Sequence, residues 1–325
     1  MASCLARDAL TTGQARSSAI NLILMPPKYS ARMLGRPITL AALLALGISS
    51  VPGAAHAQDL FEGGKLLLTN GISTVEGSGG GGLATWATIS GLETGSGIGI
   101  TGHVTVVELP DYGLESHGIA VGIGDRLEFS YARQNFDTRM VGAALGLGKG
   151  YTLNQDIYGA KLRLLGDAVY GKSLLPQLSI GVQHKRNLDG PVARAVGARH
   201  DRGTDFTLSA TKLFLRYSLL VNTTFRLTKA NQLGLLGYGS DRNDKYSAQF
   251  EGSIAYQLSR RLVVGGEYRT KPDNLAIAHE NDAKDVFVAY ALTRNVTLTG
   301  AYADLGSIAT FGGQRGAYLS AQLAF

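Results

Sequence analysis

Cysteine is nearly absent: the chain has one, Cys4. It falls in a segment expected to be removed, so the mature protein forms no disulfide and no thiolate metal site. Charge is sparse as well, at 17% of residues against an ordinary share of about 25%. After residue 57 no uncharged apolar run approaches the roughly 20 residues that a membrane-crossing helix needs. The longest, Met140 to Gly148, is short and glycine-rich. No G-X-Y period accompanies the 43 glycines, which excludes collagen, and 45% hydrophobic content excludes a disordered chain. Catalytic signatures are missing too. His103, His117, His184, His200 and His279 show no H-E-x-x-H or H-x-H spacing, and no G-x-S-x-G elbow occurs. No metal, no cofactor and no catalytic residue is therefore expected. The run from Glu76 to Gly82 lacks the Gly-Lys-Ser/Thr ending of a phosphate loop, and no helical pattern follows. It reads as a flexible loop or a plug linker.

The first 57 residues have a different character. Lys28, Arg32 and Arg36 precede an apolar run from Ile38 to Ile48, and Ala55-His56-Ala57 follows. A basic n-region, a short h-region and an A-x-A site describe a secretory signal peptide. Cleavage after Ala57 is expected, with 58–325 forming one domain. Residues 1–24 add nothing that a signal needs, so Met25 or Met33 is the expected start. The leader holds five basic residues, Arg7, Arg16, Lys28, Arg32 and Arg36, against Asp8. Four of the formal six positive charges leave with it, and the argument for nucleic-acid binding leaves with them.

What remains alternates with period two. Ala248, Phe250, Ile254, Tyr256 and Leu258 share one face, while Ser247, Gln249, Glu251, Ser253 and Gln257 share the other. A strand sends successive side chains to opposite faces, so this segment is an amphipathic strand. The same pattern fills Ile98 to Val106, Leu127 to Ala132, Tyr158 to Leu164, Leu178 to Gln183 and Leu219 to Leu227. The stretch Tyr256 to Leu262 recurs as Tyr290 to Val296, 34 residues later, and a looser third copy runs from Phe225 to Tyr238. Two strands of about 10 residues with a tight turn and a longer loop fill such a period.

Lipid offers the backbone no hydrogen bonds, so an apolar outer face without a spanning helix requires a closed sheet. The fold predicted is an all-β antiparallel transmembrane barrel of about 14 strands, within a range of 12 to 16. Arg126, Glu128, Lys161, Arg163, Lys185, Arg226, Glu251, Glu267 and Arg269 are then the candidates for facing the lumen. Their mixed signs suggest ion pairs rather than a field of one charge. Tyr131, Tyr158, Tyr246, Tyr268, Tyr290 and Tyr302 fall where interface girdles would use them. The last strand alternates and stops at Phe325, which resembles the signal that bacterial barrel-assembly machinery recognises.

Longer matches extend the reading. Gly63-Gly64-Lys65-Leu66-Leu67, Val75-Glu76-Gly77 with its glycine run, Arg202 to Phe206, Ala210 to Leu213, Thr228 to Gln232, Gly239 to Asn243, Glu267-Tyr268-Arg269 through Lys271 to Leu275 and Ala301 to Gly306 are similar to the proteobacterial domain-of-unknown-function 3034 family. The resemblance covers nearly the whole mature chain. It implies an exported outer-membrane barrel and carries no catalytic residue over. The N-terminal extension departs from that pattern.

The function expected is a passive pore or solute-binding channel in the outer membrane of a Gram-negative bacterium. Its expected partners are membrane lipid, the assembly machinery through Phe325 and a small solute, not nucleic acid. The alternatives are a barrel enzyme acting on lipid, with His200 and Asp201 as its nearest polar cluster, and a structural or assembly barrel with a plugged lumen.

Overall fold

The computed structural model describes residues 65–325 apart from 67, 96, 172, 173 and 278. The expectations about the leader, the cleavage site, the start codon and Cys4 lie outside the described residues. Among those residues, twelve strands close into an antiparallel barrel: β1 (Ile98–Glu108), β2 (Gly113–Ile123), β3 (Leu127–Asp137), β4 (Thr152–Leu165), β5 (Gln177–Asn187), β6 (Arg202–Phe214), β7 (Leu219–Thr228), β8 (Ser247–Ser259), β9 (Leu262–Arg269), β10 (Ala283–Ala291), β11 (Val296–Asp304) and β12 (Arg315–Ala324).

Every strand pairs with its neighbour in sequence, and β12 pairs with β1 to close the wall, from Ala317 opposite Glu108 to Ala324 opposite Thr101. Phe325 seals the seam: its N–H donates to Ile100 O at 2.8 Å, and its own carbonyl accepts from Ile100 N–H and Leu92 N–H. Closure leaves no unpaired strand edge, which a membrane would penalise heavily.

Twelve strands stand where about fourteen were expected. The 34-residue period holds only for the β8–β9 and β10–β11 hairpins, whose turns are 260–261 and 292–295. The third copy is not a hairpin. Phe225 to Thr228 form the end of β7, and the rest of that copy lies in the loop 229–246. Residues 65–97 add no strand to the wall either, which accounts for most of the shortfall.

The two ends of the barrel differ. One carries the chain terminus and the connections 124–126, 215–218, 260–261 and 292–295, with the longer 166–176. The other carries 138–151, 188–201, 229–246, 270–282 and 305–314, with 109–112 the short exception. Short helices, Arg139–Ala144 and Gly190–Ala195, sit in two of these long loops.

The faces separate as the alternation requires. Ile119, Phe129, Ile180, Leu208, Phe225, Ile254, Val286 and Leu319 point outward and are exposed, Ile254 at 61% and Val286 at 69%. Tyr158, Tyr246, Tyr268, Tyr290 and Tyr302 join them, whereas Tyr131 is half-buried and donates to Asp156 at 2.9 Å. The alternate rows turn inward and are mostly buried; most are rich in polar side chains, with Phe287, Ala289 and Ala291 of β10 an apolar exception. That is the reverse of a water-soluble sandwich, whose apolar rows would meet each other.

Candidate functional site: a plugged, charged lumen

The interior is full. Residues 69–93 run into the barrel from the short-turn end, turn back, and are buried over almost their whole length. A twelve-stranded wall encloses more space than its own side chains fill, and this segment takes up that space. Strand pairing within it is limited to Ile72–Ser73 with Gly79–Gly80 and a single further bridge, Gly80 with Thr85. The backbone therefore needs partners from the wall, and polar side chains of the inner row supply them. Glu267 accepts from Leu83 N–H at 2.7 Å, Glu251 from Thr85 N–H at 2.8 Å and Thr211 from Ala87 N–H at 2.8 Å. Gln322 accepts from Ser73 N–H at 2.6 Å. Lys161 donates to the carbonyls of Gly79 and Thr88, and Gln134 and Ser116 both donate to Val75 O. Trp86, the only tryptophan of the chain, donates to Ser253 Oγ at 2.9 Å.

The glycine run is thus neither a phosphate loop nor a free linker. It is packed too tightly for side chains: a Cβ on Gly81 would stand 2.0 Å from a Glu267 carboxylate oxygen. The wall reciprocates at Gly122 in β2, where a Cβ would meet the Glu93 carboxylate at 2.1 Å. At the long-loop end the tip of the segment, with Val75 and Leu83, joins an apolar lid of Leu109, Tyr112, Leu235, Leu275, Leu305 and Ile308. Tyr112 stacks on Phe136 at 4.9 Å within that lid.

Charge is concentrated at one level. Between Lys65 and Glu93 the plug carries a single ionisable charge, Glu76, and it is fully buried. Its Oε1 lies 2.5 Å from Lys185 Nζ and 3.0 Å from Arg269 Nη2. Its Oε2 lies 3.1 Å from Arg226 Nη2 and 3.1 Å from Arg269 Nη1. Two wall carboxylates complete the cluster. Asp205 pairs with Lys185 at 2.7 Å and with Arg226 at 3.2 Å. Glu251 pairs with Arg226 at 2.5 Å and with Arg269 at 3.4 Å. Three cations thus face three anions, an arrangement that a dry interior demands because an unpaired buried charge costs several kcal/mol.

Seven of the nine residues expected in the lumen are buried there. Glu128 and Lys161 pair at 3.2 Å, and Lys185, Arg226, Glu251, Glu267 and Arg269 line the level just described or the plug beside it. Arg163 stands at the short-turn rim, bonded to Asp125 and Asp167. Arg126 is a correction: it lies exposed in the turn 124–126, because the inner row of β3 begins at Glu128. Sequence reasoning missed Glu76 as a partner, and with it Asp205 and the inward Asp285. The signal for Glu76 was there, since a lone charge in a long uncharged stretch has to find a counter-ion.

His200 and Asp201, the pair raised for lipid chemistry, lie in the loop region. Asp201 bonds to Arg194 and Arg202, and His200 stands 3.5 Å from Asp244, with no serine hydroxyl among these partners. Arg242, Asp244 and Asp273 form ordinary loop ion pairs there. Among the described residues, no group of three His, Cys, Asp or Glu is placed to hold a metal.

The family model for a protein of unknown function, DUF3034, matches residues 69–322, from the start of the plug to the last strand. The chain belongs to the DUF3034 family. No curated relative matches it. Among solved structures it is similar to the KdgM porin, with TM-score 0.46 and 11% identity over 69% of this chain and 99% of that one. It is also similar to the NanC porin, with TM-score 0.42 and 9% identity over 70% and 98%. Omp33, an outer membrane protein of Acinetobacter baumannii, matches with TM-score 0.38 and 7% identity over 70% and 97%. At these values the likenesses say nothing about what this DUF3034 member does.

Proposed function

We propose that this DUF3034 protein is an outer-membrane channel of a Gram-negative bacterium, closed at rest by residues 69–93. The observation that carries the reading is the segregation of the wall: exposed apolar side chains ring the outside, while buried charge lines the inside. An Arg or Lys on the lipid face costs about 2–4 kcal/mol at the midplane, and the inner row keeps such charges away from it. The short-turn end faces the periplasm in this reading and the long loops face outward, as in barrels of this class. Lipid surrounds the apolar band, and Phe325 is the handle for the assembly machinery. The passenger is a small solute that passes once the plug withdraws.

The test is conductance in planar bilayers. The full chain gives mostly silent insertions with occasional openings. A variant lacking 69–93 gives steady discrete steps. If both stay silent while the deletion variant is folded, the barrel is structural, with a fixed filler, and the channel reading fails.

A further inference from the structure

Three sites outside the bulk of the wall invite a role: the rim cluster of Lys65, Glu93 and Asp125, the outer groove over Gly252 and Gly266, and the level at Glu76. The last carries furthest. Consider the wall without the plug. Lys185, Arg226 and Arg269 remain against Asp205 and Glu251. The ring is then short of one negative charge and left with directed donors. Those donors have a shape. Arg269 presents both terminal nitrogens to both oxygens of Glu76, at 3.0 and 3.1 Å, the two-pronged arrangement that suits a planar carboxylate. Lys185 takes the outer side of Oε1 and Arg226 the outer side of Oε2, so each oxygen has two donors. The other inward carboxylates do not compete for this place. Glu128 is held by Lys161, Glu267 by Leu83 N–H and Ser253, and Asp285 stands opposite Glu267 in register.

We propose that Lys185, Arg226 and Arg269 form a binding site for the carboxylate of a transported organic acid, which Glu76 occupies at rest as a tethered stand-in. The inference deepens the channel reading and rests on it only for how the acid reaches the site. A tethered group competes at an effective concentration of the order of millimolar. A free acid therefore binds measurably to the intact chain only at high concentration, and binds far better once Glu76 is gone. Occupation of the site by solute removes the strongest charge contact of the plug, so solute and plug exclude one another.

Chemical rescue tests this. The full chain carrying Glu76→Ala is folded in micelles and unfolded thermally with sodium acetate, acetamide, phosphate or chloride at matched ionic strength. Acetate stabilises the variant and binds it about tenfold or more tighter than chloride, acetamide has no effect, and the wild-type chain shows no such preference. Adding Arg269→Gln abolishes the acetate response. If Glu76→Ala does not fold, the same titration is run by calorimetry on the barrel lacking 69–93. Equal responses to acetate and chloride, or a response to phosphate alone, overturn the proposal. A silent bilayer with intact acetate rescue removes the channel and leaves the site, whereas steady conduction without rescue removes the site and leaves the channel.

Discussion

Replacing Glu76 by glutamine removes one charge and almost no volume. The glutamine amide still accepts one or two hydrogen bonds from Lys185, Arg226 or Arg269, but it no longer balances them. Removing one partner of a buried ion pair costs about 3–5 kcal/mol. Asp205 still pairs with Lys185 and Arg226, and Glu251 with Arg226 and Arg269, so the lower end, about 3 kcal/mol, applies. At about 1.4 kcal/mol per factor of ten, the plug then opens on the order of 100-fold more often. Amide exchange reads that factor directly, because exchange from a locally opened segment scales with its opening equilibrium. The reporters are the N–H groups of Ser73, Leu83, Thr85 and Ala87, which donate to wall side chains and exchange only when the plug leaves. Mass spectrometry of peptides across 70–90 should show the acceleration in micelles. Peptides from β2 and β3 should not change, since that pairing does not involve the plug. An acceleration below about fivefold, or an equal one in the wall, would refute the idea that Glu76 is the main tie between plug and barrel.

Further outcomes follow from the same geometry. Ile254→Arg, central in β8 and outward, should cost about 2–4 kcal/mol of stability in urea titrations of bilayer-folded protein; no cost would mean that this face meets water. Phe325→Ser should lower the amount of assembled barrel in outer-membrane fractions while leaving refolding into micelles nearly intact; equal loss in both would make Phe325 a structural seal only. Burial pushes the Glu280 carboxyl in the loop 270–282 up to about 7, against the pull of Lys271 and the Gln232 N–H. The folded loop thus favours the protonated acid, so its extra stability is full below about 4.5, the unfolded value, and is lost as pH rises through about 7. Protease nicking of this loop should increase over that interval in the wild type and stay flat in Glu280→Gln; the same slope in both would discard the assignment. Iodide should quench Trp86 weakly in the full chain and more strongly in Glu76→Gln, and equal quenching would count against plug release.

Much of this molecule follows from a local rule. A strand sends neighbours to opposite sides, so Phe250, Ile254 and Tyr256 had to part from Glu251, Ser253 and Ala255 whatever came next. The two-sided pattern, with no run after residue 57 long and apolar enough for a spanning helix, determined a closed antiparallel wall and which side of it is apolar. Strand number did not follow, because residues 65–97 look like spare length until they are placed. The plug carries no period of two because it is buried on every side and presents no face to solvent or lipid. The charge cluster was beyond local reasoning too: Glu76 and Arg269 are 193 residues apart, and only closure of the wall around the inserted segment brings them together. Alternation told which charges point inward; the tertiary structure alone decided which of them meet, because partner choice depends on barrel register and on where the inserted chain turns back.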